Sequence, residues 1–115
     1  MDKTVDTKRE SVMKKEMAMY IGDLVSSCYG VVGLVNVNTI KSAIQLLKKE
    51  NYQEGVILFE TAGKWSVDVH LVLAYGLKVT EIINEINKRL NYFLKKEYGD
   101  KIKKINVYIE DLKIL

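Results

Sequence analysis

Apolar positions recur along the chain with two different periods, and each change of period marks an element. From Met13 they return at Met17, Tyr20, Ile21, Leu24 and Cys28, while Lys14, Lys15 and Asp23 fall between them. That three-and-four spacing predicts a helix with one buried face. Thr7-Lys8-Arg9-Glu10 has the form of a capping box, in which a hydroxyl and a carboxylate satisfy free amides at a helix start. The expected helix therefore covers about residues 8–28 and ends at Tyr29-Gly30, where glycine accepts the left-handed backbone of a cap. Residues 1–7 are polar and read as a flexible N-terminal tail.

The β-branched run from Val31 to Val37 predicts a strand. Asn38 or Thr39 then caps a predicted second helix, with Ile40, Ala43, Ile44 and Leu47 on one side and an end near Lys49. Gly55 to Thr61 and Lys64 to Tyr75 read as two strands joined through Ala62-Gly63, a connection short enough for a hairpin. The second of these alternates clearly. Trp65, Val67, Val69, Leu71 and Leu73 share one face, and Ser66, Asp68, His70, Val72 and Ala74 share the other. One face belongs to the core and the other is half wet. After Gly76 the spacing returns to a helix over about residues 79–97, with Val79, Ile82, Ile83, Ile86, Leu90, Phe93 and Leu94 as its stripe. Past Gly99, Ile105, Val107 and Ile109 alternate as a last strand.

The order is α-β-α-β-β-α-β in one domain over residues 8–115, without repeats or linkers. Strand-helix-strand crossovers combined with a hairpin predict an α+β fold: a two-layer α/β sandwich whose mixed sheet carries its helices on one face.

Composition narrows the class. Hydrophobic residues make up 48% and charged residues 29% of the 115, which excludes a disordered or collagen-like chain, and the length excludes a two-domain enzyme. Cys28 is the only cysteine, so no intramolecular disulfide forms and a reducing, intracellular setting is expected. The polar start lacks the apolar stretch of a signal peptide. Runs such as Val56–Phe59 and Leu71–Tyr75 are far shorter than the roughly 18 residues of a membrane span, so membrane association is expected only through a surface or a partner.

Charge is uneven: residues 88–104 hold seven bases and two acids within a chain of net charge +3. Lys88, Arg89, Lys95, Lys96, Lys103 and Lys104 are the candidate interaction face of this segment. Such a face can touch phosphates, but it is rich in lysine, poor in the guanidinium forks that read bases, and short of interleaved aromatics. Gly30-Val31-Val32-Gly33 matches the GxxG string of KH domains, yet its middle valines lead into a strand instead of joining two helices. A solvated helix face and a glycine cap are the simpler readings.

No catalytic, metal or cofactor set emerges. Ser66, Asp68 and His70 project in parallel from one strand face, whereas a triad needs its base to reach between nucleophile and orienter. One histidine, one cysteine and scattered carboxylates give no local zinc spacing. Cys28 lies on the apolar stripe of the first helix and reads as a small buried hydrophobe. That stripe could also lie on a membrane, but a chain this short needs it against the sheet.

Several stretches together resemble the bacterial alkaline-shock protein family, also called the envelope stress response family. Ile21 to Leu34 (IGDLVSSCYGVVGL), with Gly30, Val31 and Gly33, is similar to its early helix and glycine turn. Ser66 to Gly76, ending in Tyr75-Gly76, is similar to its long strand. Glu81 falls in a similar helix start, and Ile105 to Asp111, with Val107 and Ile109, resembles its closing strand. Tyr29 and Thr80 stand where that family often has proline, which leaves partner choice open. The resemblance implies a non-enzymatic protein of cell-envelope homeostasis that needs no cofactor. It implies a cytoplasmic protein that self-associates and is held at the inner face of the membrane by a small integral membrane partner. The alternative is a nucleic-acid-binding module using the basic 88–104 face.

Overall fold

The computed structural model describes residues 3–38 and 44–115, with side chains from Val12 onward. Its elements are helix α1 (Lys3–Ser26), strand β1 (Val31–Leu34), a 3₁₀ helix (Lys49–Glu54), strands β2 (Val56–Thr61) and β3 (Lys64–Ala74), helix α2 (Val79–Tyr98) and strand β4 (Ile102–Lys113). A single 3₁₀ turn at Gly99–Lys101 links α2 to β4.

The sheet is built around β3. β4 runs parallel to it along one edge, from Trp65↔Ile102 to Ala74↔Lys113. The other edge is shared by two shorter antiparallel strands placed end to end: β2 on residues 64–69 and β1 on residues 71–73. His70 marks the handover. Its N–H donates to the Gly55 carbonyl at 3.0 Å, and its carbonyl accepts from the Val35 N–H at 3.1 Å. The sheet is therefore mixed and three strands wide, and the expected α+β class holds.

Both main helices cover one face. Val67, Val69, Leu71 and Leu73 of β3 are fully buried against Met17, Ile21 and Val25 of α1 and Ile82, Ile86, Leu90 and Leu94 of α2. The α2 residues recur every fourth position, so a single stripe of the helix seats on the strand row. Ile105, Val107 and Ile109 flank this core from β4 and are half-buried.

Three sequence expectations need correction. First, α1 begins at Lys3 instead of near residue 8, so Thr7 and Glu10 fall inside the helix instead of at its start. No glycine or proline interrupts residues 3–21, and nothing local stops the helix there. Second, Met13 is 47% exposed, so the buried stripe of α1 starts at Met17. Third, the helix expected from Asn38 or Thr39 to Lys49 does not form over residues 44–48; its first part, residues 39–43, lies outside the described residues. Leu46 pairs with Val35 in an antiparallel bridge, and the Leu47 N–H donates to the Leu34 carbonyl at 2.8 Å. The sheet edge takes the amide that a helix would have used. The extended backbone sends Leu47 to the core, while Leu46 crosses Gly33, where a Cβ would stand 3.2 Å from its side chain. The 3₁₀ helix that follows packs Tyr52 on α1 at Gly22, where a Cβ would lie 2.7 Å from Tyr52 Cβ.

Candidate interaction surfaces

Two regions of the surface carry features that packing alone does not use. The first is the end of the sheet where the two glycine turns meet. The Gly30 carbonyl accepts from the Ala74 N–H at 2.8 Å, and the Tyr75 N–H donates to the Lys113 carbonyl at 2.8 Å. Gly30 and Gly76 both have positive φ, 85° and 92°, which glycine alone adopts without strain. These turns hold up Tyr29 and Tyr75, 76% and 63% exposed. A groove of about 560 Å³ runs between them, lined also by Val31, Val32, Leu77 and Leu115. A second hollow of about 310 Å³ lies across Tyr29 and Leu77 and is lined by Gly76, Lys78 and Glu81 among others. Glu81 sits in the first turn of α2, where a carboxylate is favourable to the helix dipole, and pairs with Lys78 at 3.7 Å.

The structure thus brings Gly30, Val31, Tyr75 and Gly76 to one end, with Glu81 beside them. Gly33, Val107 and Ile109 remain inside the sheet: Gly33 faces Val72, Val107 faces Val69, and Ile109 faces Leu71.

The second region is the face of the sheet without helices. His70 stacks on Tyr108 with ring centroids 5.0 Å apart, and its Nδ1–H donates to Glu110 Oε1 at 2.8 Å. Asp68 accepts from Asn106 Nδ2 at 2.8 Å. Both side chains reach sideways to β4 and not along β3 to each other, so Ser66, Asp68 and His70 do not form a relay. These cross-strand partners lie 38 and 40 residues away in sequence. The period-two pattern put His70 and Asp68 on the wetter face, but only the β3–β4 register reveals what they touch.

Cys28 gains a neighbour that the sequence hid. Arg89 turns inward and its Nη1 stands 3.7 Å from Cys28 Sγ. Burial pushes the thiol above its usual range and outweighs the lowering by Arg89, which keeps it protonated. Arg89 is thereby withdrawn from the expected basic face. Lys88, Lys95 and Lys96 are exposed on α2, on the helical side. Lys104 pairs with Ser66 and so belongs to the opposite face, and Lys103 occupies an irregularity in β4 beside it. Among the described residues, no three His, Cys, Asp or Glu side chains gather as a metal site, and no helix is long and apolar enough to cross a membrane.

A two-layer α+β domain with one helical layer, one bare sheet face and an aromatic-tipped end is the class of protein that these observations define. The chain belongs to the Asp23 family (a family name, unrelated to residue Asp23), which is described as having a cell envelope-related function; the match covers residues 3–114. It is similar to the uncharacterized protein Spy1614 of Streptococcus pyogenes serotype M6, with 35% identity over 100 residues, 86% of this chain and 83% of that protein. It is also similar to the uncharacterized protein YloU of Bacillus subtilis, with 25% identity over 104 residues, 90% of this chain and 87% of that protein. No solved structure matches the chain.

Proposed function

We propose that this protein is a non-catalytic interaction module of cell-envelope homeostasis, recruited to the inner face of the membrane by a small integral membrane protein. The observation that carries the reading is the groove at the glycine-turn end, flanked by the exposed Tyr29 and Tyr75. Exposed aromatics at the rim of an apolar groove are the side chains that dominate binding energy at protein interfaces, because they bury large area at little conformational cost. The Gly30 carbonyl, accepting from Ala74 N–H, and the Tyr75 N–H, donating to Lys113, hold both turns in place before any partner arrives, which lowers the ordering cost of binding.

The nucleic-acid alternative requires a contiguous basic face. Lys88, Lys95 and Lys96 lie on one side of the sheet, Lys104 lies on the other, and Arg89 points inward, so this alternative has less support.

The test is affinity capture from native lysate in mild detergent with nuclease, comparing the unmodified chain with Tyr29→Ser, Tyr75→Ser. A small integral membrane protein in near-stoichiometric amount, lost from the doubly substituted chain, is the expected result. Equal capture by both chains overturns the assignment of the groove, and loss of partners to nuclease alone overturns the membrane-partner reading.

A further inference from the structure

Along the outer edge of β2 lies a surface that belongs to neither region described above, and what it implies goes beyond the envelope role. β2 pairs with β3 on one side, and among the described residues no strand pairs with the other. Which backbone groups that edge presents follows from one bond. The His70 N–H donates to the Gly55 carbonyl, so Gly55 and His70, one step beyond Val56↔Val69, form a hydrogen-bonded pair. In an antiparallel ladder such pairs alternate with unbonded ones. Ile57, Phe59 and Thr61 therefore direct their N–H and C=O groups to β3, while Val56, Leu58 and Glu60 turn theirs outward. Val56 is buried, which leaves Leu58 and Glu60 as an open template for another strand.

Side chains on the two sides of this edge define what that strand carries. On the helical side a hollow of about 320 Å³ runs between β2 and α1, with Lys14, Lys15, Ala18, Gln53 and Leu58 in its walls. Lys14 and Lys15 are exposed, and neither belongs to an ion pair among the described residues. The Lys14 ammonium lies over the Trp65 ring, 5.8 Å from its centroid, which holds it beside the strand. Gln53 Oε1 is buried in the same wall without a hydrogen-bond partner among the described residues. It can accept from an amide N–H once the half-buried side chain turns into the hollow. On the bare face the edge carries Ile57, half-buried, and Phe59, exposed. Glu60 follows past the hollow, so the attraction for carboxylates is confined to the stretch beside the lysines.

An extended segment presents its side chains alternately to the two sides of a sheet. Acidic residues at every second position then meet Lys14 and Lys15, and the apolar residues between them cover Ile57 and Phe59. An amphipathic helix or an acyl chain could meet the same lysines, but it would strip water from the outward backbone groups of Leu58 and Glu60 without replacing it. We infer that the outer edge of β2 is a docking site for a foreign peptide segment of alternating acidic and apolar residues, which adds to the sheet as a strand beside β2.

The test is fluorescence anisotropy of a labelled, end-blocked hexapeptide of alternating glutamate and valine, titrated with the full chain. The unmodified chain is expected to bind it. The Lys14→Glu, Lys15→Glu chain is expected to bind about tenfold more weakly, because two attractions become repulsions. Both lysines are exposed on α1, so the fold stays in place. N-methylation of the peptide tests the strand pairing. In an added strand every second amide faces β2, so methylation of the glutamate amides or of the valine amides, but not both, abolishes binding; the sensitive set gives the strand direction. Hydrogen exchange supplies a readout in the protein: the amides of Leu58 and Glu60 gain protection on binding, and those of Ile57 and Phe59 stay as they were. The Tyr29→Ser, Tyr75→Ser chain is expected to bind the peptide like the unmodified one, which keeps this site separate from the glycine-turn groove. No binding by the unmodified chain, or binding indifferent to the lysine reversals, overturns the proposal. Equal effects of the two methylations overturn it as well and leave the hollow to a helix or an acyl chain.

Discussion

The two faces of β3 come from the same alternating sequence and are held by different means. On the helical face, Val67, Val69, Leu71 and Leu73 lie beneath two helices and are fully buried. On the other face no helix lies among the described residues, yet Val72, Ala74 and His70 are also buried. There the cover is lateral: Tyr108 stacks on His70 from β4, and Leu46 crosses Gly33 from the opposite edge. A sheet three strands wide shields its central strand with the side chains of its neighbours. Burial therefore has two sources here, one with depth behind it and one a single side chain thick, and substitutions should separate them.

The largest separation is expected between Leu71→Ala and Phe59→Ser. Leu71 is surrounded by packed neighbours that cannot collapse into the space it leaves, and its truncation should cost about 2–5 kcal/mol in urea unfolding. Phe59, 52% exposed and opposite Ser66, should change stability by no more than about 0.5 kcal/mol. Comparable losses at both sites would mean that the bare face is covered by more than its own side chains.

The two turn glycines sharpen the contrast at the end of the sheet. A Cβ at Gly30 runs into Ile82 in addition to the strain of φ 85°, whereas at Gly76, with φ 92°, it meets open space. Gly76→Ala should cost about 1 kcal/mol from backbone strain alone, and Gly30→Ala a further 1–3 kcal/mol or so from the displaced helix side chain. Equal costs would show that α2 shifts freely, contrary to a rigid helical layer.

A smaller effect separates the faces by pH. Burial raises the thiol of Cys28 and the hydroxyls of Tyr20 and Tyr98 on the helical side, with Glu97 adding to both tyrosines. Each group holds its proton more tightly folded than unfolded. Their contribution to stability is complete below the unfolded values of 9.0 and 10.0 and is lost as pH rises beyond them. Melting temperature should therefore begin to fall above pH 9. The Tyr20→Phe, Tyr98→Phe chain should lose less between pH 10 and 11, and an unchanged slope would remove the tyrosines as its cause.

What was legible in the sequence was what neighbouring residues decide together. The period-two run of β3 and the four-residue stripe of α2 follow from backbone geometry and hydrophobicity over a few positions, and the family itself was recognisable from stretches spread along the chain. Two local signals misled. The capping box at Thr7 was overridden because no glycine or proline stops the helix before it, and the helical spacing through Ile44 and Leu47 was overridden because the edge of β1 offered Leu47 a hydrogen bond.

Everything that depends on strand neighbours was decided by the tertiary structure. The meeting of His70 with Glu110 across 40 residues, the approach of Arg89 to Cys28 across 61, and the splitting of the lysines between two faces all follow from the register of β3 with β4 and the seating of α2. Local sequence sets the direction in which a side chain points; what stands there is set by long-range pairing, which no short window of sequence contains.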